Sequence, residues 1–104
     1  MENKKIQEMQ FLEHNLQNLL LQKQSFQLEL SETTSALKEL EHSGDETFKI
    51  IGQLMIKIEK SKIQKELEEK KKILNLRIKT IQGQETSLTK QLDFLREELV
   101  KKKK

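Results

Sequence analysis

The sequence has 104 residues, of which 34% are hydrophobic and 36% are charged, so it is not expected to bury a thick globular core. It contains no cysteine, which excludes disulfide bonds and thiolate metal sites and fits a reducing, cytoplasmic compartment. The formal net charge of +3 falls to −1 without the four lysines at positions 101–104, which argues against a nucleic-acid-binding body.

The composition favours long helices. The chain has no proline and only three glycines, and Leu, Ile, Lys, Glu and Gln dominate it. No apolar stretch is long enough to cross a bilayer, and residues 1–10 lack the apolar core of a signal peptide. We therefore expect a soluble chain with no membrane partner.

The first predicted helix covers about residues 3–42. Its apolar residues recur at alternating spacings of three and four, which predicts a left-handed coiled coil with one seam facing a partner helix. The helix is expected to end before Gly44, because glycine commonly follows helix ends. Eight of the ten seam positions are apolar. These positions are Met9, Leu12, Leu16, Leu19, Lys23, Phe26, Leu30, Thr33, Leu37 and Leu40.

The second predicted helix covers about residues 62–101 and repeats the same spacing. Ser61 with Gln64 forms a capping-box pattern, which predicts a helix start near Lys62. Again eight of ten seam positions are apolar. They are Leu67, Lys71, Leu74, Ile78, Ile81, Glu85, Leu88, Leu92, Leu95 and Leu99.

The two seams have the same length, so the simplest arrangement is an antiparallel two-helix coiled-coil hairpin. If the numbers of opposed residues sum to about 107 or 108, Lys23 faces Glu85, and the two side chains either pair directly or extend to the edges of the seam. The same register predicts ion pairs of Glu13 with Arg96 and of Glu29 with Arg77.

The connector, about residues 47–58, is too long and too apolar for a plain helical turn. It predicts a β-hairpin that turns at Gly52-Gln53. A lone hairpin is marginal in water, so we expect other subunits to cover it by joining hairpins into an intersubunit β-barrel. Apolar residues alternate with polar ones, as in a sheet with one buried face. The predicted oligomerisation face holds Phe48, Ile50, Leu54, Ile56 and Ile58.

At this point the chain closely resembles the β class of prefoldin subunits, especially the archaeal form. The most specific stretches are residues 36–41 (ALKELE), 48–57 (FKIIGQLMIK) and 66–70 (ELEEK). The single hairpin is similar to the β class, because the α class has two hairpins between its helices. Phe48 stands where the family often has Tyr, and Gln53 where some members have Pro or Gly.

The resemblance implies one prefoldin-like domain over residues 1–104, in a hexamer of two α-class and four β-class subunits. It also implies an ATP-independent holding chaperone that captures non-native proteins at the coiled-coil tips and passes them to a group II chaperonin. No cofactor is expected, and the sequence has no phosphate-binding glycine loop.

Apolar residues off the seam near the chain ends, among them Leu20 and Leu21, predict a surface for client proteins, and flexible Met and bulky Phe suit unrelated partners. Chain ends are also where paired helices separate most readily. The predicted client-binding residues are Ile6, Met9, Phe11, Leu12, Leu16, Leu92, Phe94, Leu95, Leu99 and Val100.

No catalytic or metal motif is found, so the chain is not expected to be an enzyme. His14 and His42 lack ligand spacing, and Glu68-Glu69 and Glu97-Glu98 are interpreted as solvated helix faces. Two alternatives remain open. One is a nucleic-acid-binding arm that uses residues 70–72 and 101–104, and the other is a structural coiled-coil scaffold.

Overall fold

The computed structural model describes residues 2–102 and the side chains of residues 3–101. It contains helix α1 (Glu2–His42), strand β1 (Glu46–Ile51), strand β2 (Leu54–Glu59) and helix α2 (Lys60–Lys102). The predicted mainly α fold with two long helices and a β-hairpin is therefore confirmed.

Helix α2 begins earlier than the capping-box pattern predicts. It starts at Lys60, directly after strand β2, and Ser61 lies inside the helix, so the predicted cap at Ser61 is wrong. The side chain of Lys60 instead donates a hydrogen bond to the backbone carbonyl of Ser43, at 2.9 Å. No loop separates β2 from α2. The hydrogen bond connects the first residue of α2 to Ser43, the residue that follows α1.

The seam positions predicted from the heptad spacing are the positions that the helices bury. All ten in α1 and all ten in α2 are buried or half-buried. The most enclosed apolar side chains include Leu74 and Leu92, each only 3% exposed. A buried Leu contributes about 1.5–3 kcal/mol by leaving water, so these rows supply most of the driving force for helix pairing.

The described residues form two compact units, which we name by their content. The terminal unit holds the residues up to Ser25 and those from Arg77 onward, and the hairpin unit holds residues 26–76. Each unit contains one segment of α1, one segment of α2 and its own seam residues.

In the terminal unit the two helix segments run antiparallel. Its core cluster consists of Leu12 from α1 and of Leu92 and Leu95 from α2. Half-buried Met9, Leu16 and Leu88 pack against this cluster.

Ion pairs in the terminal unit confirm the predicted register. Arg96 lies 3.3 Å from Glu13 across the helices, as predicted. Lys23 pairs directly with Glu85 at 2.9 Å, which resolves the open choice between pairing and extension to the seam edges.

The hairpin unit has a smaller core. Leu40, Leu74 and Thr33 are its most buried seam residues, and the Thr33 hydroxyl is satisfied by donating to the carbonyl of Glu29 at 2.8 Å. The carboxylate of Glu29 lies 3.7 Å from the ammonium of Lys70. The expected pairing of Glu29 with Arg77 joins residues of different units and stays a prediction.

The hairpin turns where predicted, but its faces differ from the prediction. Gly52 has a φ of 60° and no other described residue has a positive φ, which together define a type II′ turn at Gly52-Gln53. A two-residue turn pairs even-numbered residues of β1 with odd-numbered residues of β2, for example Ile50 with Met55. Paired residues lie on the same face of the sheet. Every second residue, counted from β1 through the turn into β2, therefore lies on one face in β1 and on the other face in β2.

The single predicted apolar face is therefore wrong. Face one carries Phe48, Ile50 and Met55, and face two carries Ile51, Leu54, Ile56 and Ile58. Both sides of the hairpin are apolar.

Candidate functional site

The hairpin carries the first candidate surface, because its apolar side chains remain in water. On face one, Phe48 is 50% exposed, Ile50 71% and Met55 67%. On face two, Ile51, Leu54 and Ile56 are also exposed, and only Ile58 is half-buried. An exposed apolar surface on both faces of one small hairpin is the mark of an interaction site.

The edges of the hairpin are also incomplete. Strands β1 and β2 pair only with each other among the described residues, so the outer edge of each strand has unpaired backbone groups. A two-stranded sheet is marginally stable at best by itself. The hairpin thus has both the apolar faces and the hydrogen-bonding edges that a further strand would complete.

Two contacts near the base of the hairpin join its strands to each other and to helix α2. Thr47 is buried and donates its hydroxyl to the backbone carbonyl of Ile58, which joins the two strands below the exposed residues. Lys49 on β1 reaches Glu66 on α2, with 3.1 Å between nitrogen and oxygen.

The predicted client-binding residues of the terminal unit divide into two groups. Four point outward and are exposed: Ile6, Phe11, Phe94 and Val100. The other six form or line the seam: Met9, Leu12, Leu16, Leu92, Leu95 and Leu99. Leu12, Leu92 and Leu95 are buried and the other three are half-buried, so the closed terminal unit offers mainly the outward group.

Some exposed apolar residues were missed by the sequence interpretation. Ile51 and Met55 belong to the hairpin surface, and counting residues across a two-residue turn would have found them. Leu28 and Ile73 in the hairpin unit are 63% and 50% exposed, at outward positions of the heptad pattern. They lie apart from the ends of the chain, which hold the predicted client-binding residues.

The described part of the chain shows no arrangement suited to metal chemistry. No cluster of three or more His, Cys, Asp or Glu side chains occurs within it, and His14 and His42 are both exposed. No helix among the described residues is long and apolar enough to span a membrane.

Two long helices that pair through a heptad seam are joined by an apolar β-hairpin, which defines a coiled-coil protein with exposed apolar residues on its hairpin and on its terminal unit. Comparison with known proteins gives the family. The family described as "Prefoldin subunit" matches residues 3–104. The chain therefore belongs to the prefoldin subunit family, whose members are chaperone subunits.

Individual relatives agree with this assignment. The chain is 39% identical over 93 residues to a prefoldin subunit beta of Sulfurisphaera tokodaii, a match that covers 88% of this chain and 74% of that protein. It is 42% identical over 88 residues to a prefoldin subunit beta of Saccharolobus islandicus, covering 83% and 70%.

A solved structure shows the same fold. The crystal structure of the prefoldin beta subunit from Thermococcus strain KS-1 superposes with a TM-score of 0.86 at 32% identity. The match covers 93% of this chain and 87% of that one. The resemblance to the β class is therefore confirmed, and these relatives come from archaea.

Proposed function

We propose that this chain is a subunit of an ATP-independent holding chaperone that captures non-native proteins and delivers them to a group II chaperonin in the cytoplasm. The observation that carries the proposal is the pair of large aromatic side chains left exposed in the terminal unit of a prefoldin subunit. Phe11 and Phe94 are 65% and 61% exposed. An aromatic side chain that stays mostly in water contributes little to its own helix pair and can contact a partner.

The hairpin surface supports assembly. Covering both apolar faces and both edges requires more than one neighbouring strand, which fits several hairpins joined in an intersubunit β-barrel. The proposed partners are an α-class prefoldin subunit and further copies of this chain, in a hexamer of two α and four β subunits. The oligomerisation residues are the predicted set together with Ile51 and Met55.

Client capture is assigned to the terminal unit in two stages. The exposed residues Ile6, Phe11, Phe94 and Val100 make the first contacts, and the six seam residues join when the helix ends open. Several subunits in one assembly add weak contacts into useful avidity.

The nucleic-acid alternative fits the described charges poorly. In the hairpin unit one groove between the helices is lined by Lys38, Lys71 and Lys72, but also by Glu41 and Glu68. Such interleaving of opposite charges weakens attraction to a phosphate backbone, which needs clustered cations. Lys103 and Lys104 lie outside the described residues, so the role of the terminal lysine run stays a prediction.

The proposal is tested by replacing the exposed aromatic pair in the assembled protein. The double variant Phe11→Ser, Phe94→Ser should lose most of its suppression of client aggregation, while its melting temperature stays near that of the parent because neither ring is in the seam. Leu28→Ser, Leu76→Ser is the matched control, since Leu28 and Leu76 are similarly exposed at 63% and 65% but belong to the hairpin unit. Full suppression by the aromatic variant, measured by light scattering, would contradict the assignment.

A further inference from the structure

The terminal unit contains a shallow, open groove that is lined mainly by amide and hydroxyl side chains. It runs beside the seam between α1 and α2. Among its lining residues only Leu19 and Leu88, both half-buried seam residues, are apolar, and none is charged. The polar residues that line it are Asn15, Asn18, Gln22, Gln84 and Ser87, which we name the amide groove.

A second groove of the same unit has different chemistry. This groove, which we name the charged groove, is lined by the charged residues Glu13, Glu85 and Arg96 as well as by leucine, glutamine and threonine. The carboxylate of Glu13 lies 3.3 Å from the guanidinium of Arg96. The heptad positions explain the difference. The residues that line the amide groove lie on one flank of the seam, and those that line the charged groove lie mainly on the other flank. The contrast shows that lack of charge is a property of one side and not of the whole unit.

The polar side chains of the amide groove have no hydrogen-bond partners within residues 2–102. Neighbouring hydroxyl groups behave differently: Thr86 and Thr89 each donate to a backbone carbonyl four residues earlier. Ser87 lies between them and makes no such bond. Each amide can offer both donors and an acceptor to a partner.

Aromatic residues continue this surface at one end. Phe11 lies four residues before Asn15 and therefore on the same face of α1. On α2, Gln91 and then Phe94 follow Ser87 at helical spacing, again on one face. From Phe11 to Gln22 the row covers about 16 Å, which is about the length of five residues of extended chain.

We propose that the amide groove binds the backbone of an extended, uncharged segment of a non-native polypeptide, while Phe11 and Phe94 contact its apolar side chains. This inference rests on the proposed function and names the class of segment that the terminal unit holds. Asn, Gln and Ser side chains match peptide groups because both kinds of group combine N–H or O–H donors with oxygen acceptors. Every peptide bond offers the same groups, so such recognition does not depend on client sequence. An uncharged wall also avoids the cost of leaving a charge unpaired beneath a bound segment.

The test compares alanine variants of the two sides in the oligomer assembled with its partner subunits. The groove variant is Asn18→Ala, Gln22→Ala, Gln84→Ala, Ser87→Ala. The control variant is Gln17→Ala, Gln82→Ala, Thr86→Ala, Thr89→Ala, whose residues line the charged groove or the surface beside it. Alanine is the best helix former, so both variants should keep their helicity, which circular dichroism checks.

The probes are a synthetic uncharged peptide and the same peptide methylated on alternate backbone nitrogens, with binding measured by fluorescence anisotropy. For the parent protein we expect methylation to weaken binding by about tenfold, because several hydrogen bonds are lost together. The groove variant should bind the unmodified peptide about tenfold more weakly and no longer distinguish the two peptides. The control variant should behave like the parent.

Two results would overturn the inference. One is that the parent protein binds both peptides equally and still suppresses aggregation. That result would exclude recognition of the backbone but would not contradict the holding function. The other is a groove variant that keeps the parent's discrimination between the peptides. A parent oligomer that neither binds peptide nor suppresses aggregation would instead disprove the proposed function itself.

Discussion

Lys23 and Glu85 form an ion pair inside the seam of the terminal unit, with the lysine nitrogen 2.9 Å from one carboxylate oxygen and 3.2 Å from the other. Their side chains are only 20% and 19% exposed, so the pair occupies seam positions that the heptad repeat otherwise fills with apolar residues. Two opposite charges that meet in one register favour that register over slipped pairings, in which each charge would face an apolar residue.

The double variant Lys23→Leu, Glu85→Leu should raise the melting temperature, because replacing a desolvated ion pair with packed hydrophobic residues is often neutral or stabilising. Each single leucine variant should lower it, since one charge is then left without its partner in the seam. Thermal unfolding followed by circular dichroism compares the four proteins. A clear loss of stability in the double variant would show that the pair contributes more than register.

Replacing glycine with alanine should have opposite effects on the free energy of unfolding in the turn and in α2. Gly83 lies within α2 and a β-carbon there meets nothing within 4 Å, so Gly83→Ala should stabilise the chain by about 0.5–1 kcal/mol. Gly52→Ala has equal space, but the φ of 60° disfavours any residue with a β-carbon, so the free energy of unfolding should fall by about 1–2 kcal/mol. Urea unfolding measures both, and equal shifts would contradict the type II′ turn.

Assembly should depend on both faces of the hairpin. Ile50→Asp tests face one and Ile56→Asp tests face two, and each places a charge where a neighbouring subunit is proposed to exclude water. We expect each variant to remain helical and to lose the oligomer in native mass spectra. Gln53→Asp at the turn is the control and should assemble normally. If Ile56→Asp still assembles while Ile50→Asp does not, only face one lies between subunits.

Removal of the chain ends should separate client capture from assembly. Deleting residues 1–12 and 94–104 eliminates Phe11, Phe94 and the outer part of the terminal seam, and leaves the hairpin at residues 46–59 intact. The trimmed protein should form the oligomer and fail to suppress client aggregation. If the trimmed protein suppresses aggregation as well as the full chain does, the client-binding surface lies on the hairpin or on the remaining helix faces.

The sequence alone was sufficient for the elements and for the seam. A repeat of three and four residues specifies which stripe of a helix is apolar regardless of the partner. All twenty seam positions, the pair Glu13–Arg96 and the opposed positions of Lys23 and Glu85 could therefore be predicted from spacing, whereas the direct Lys23–Glu85 ion pair was decided by the structure. The start of α2 could not, because the continuity of β2 with α2 and the bond from Lys60 to Ser43 override the local preference of Ser61 for a helix cap.

Tertiary structure decided how the remaining side chains are grouped. The two faces of the hairpin depend on the number of residues in the turn, since one residue more or fewer would exchange the faces of β2 relative to those of β1. The division of the client-binding candidates into exposed Phe11 and Phe94 and buried Leu12 and Leu92 likewise follows from helix pairing. The amide groove exists only because pairing places Asn15, Asn18 and Gln22 opposite Gln84 and Ser87. Those residues are far apart in the chain, and each is individually an ordinary polar helix residue. The heptad repeat assigns them to one flank of each helix, but only the pairing of the two helices makes one surface of the two flanks.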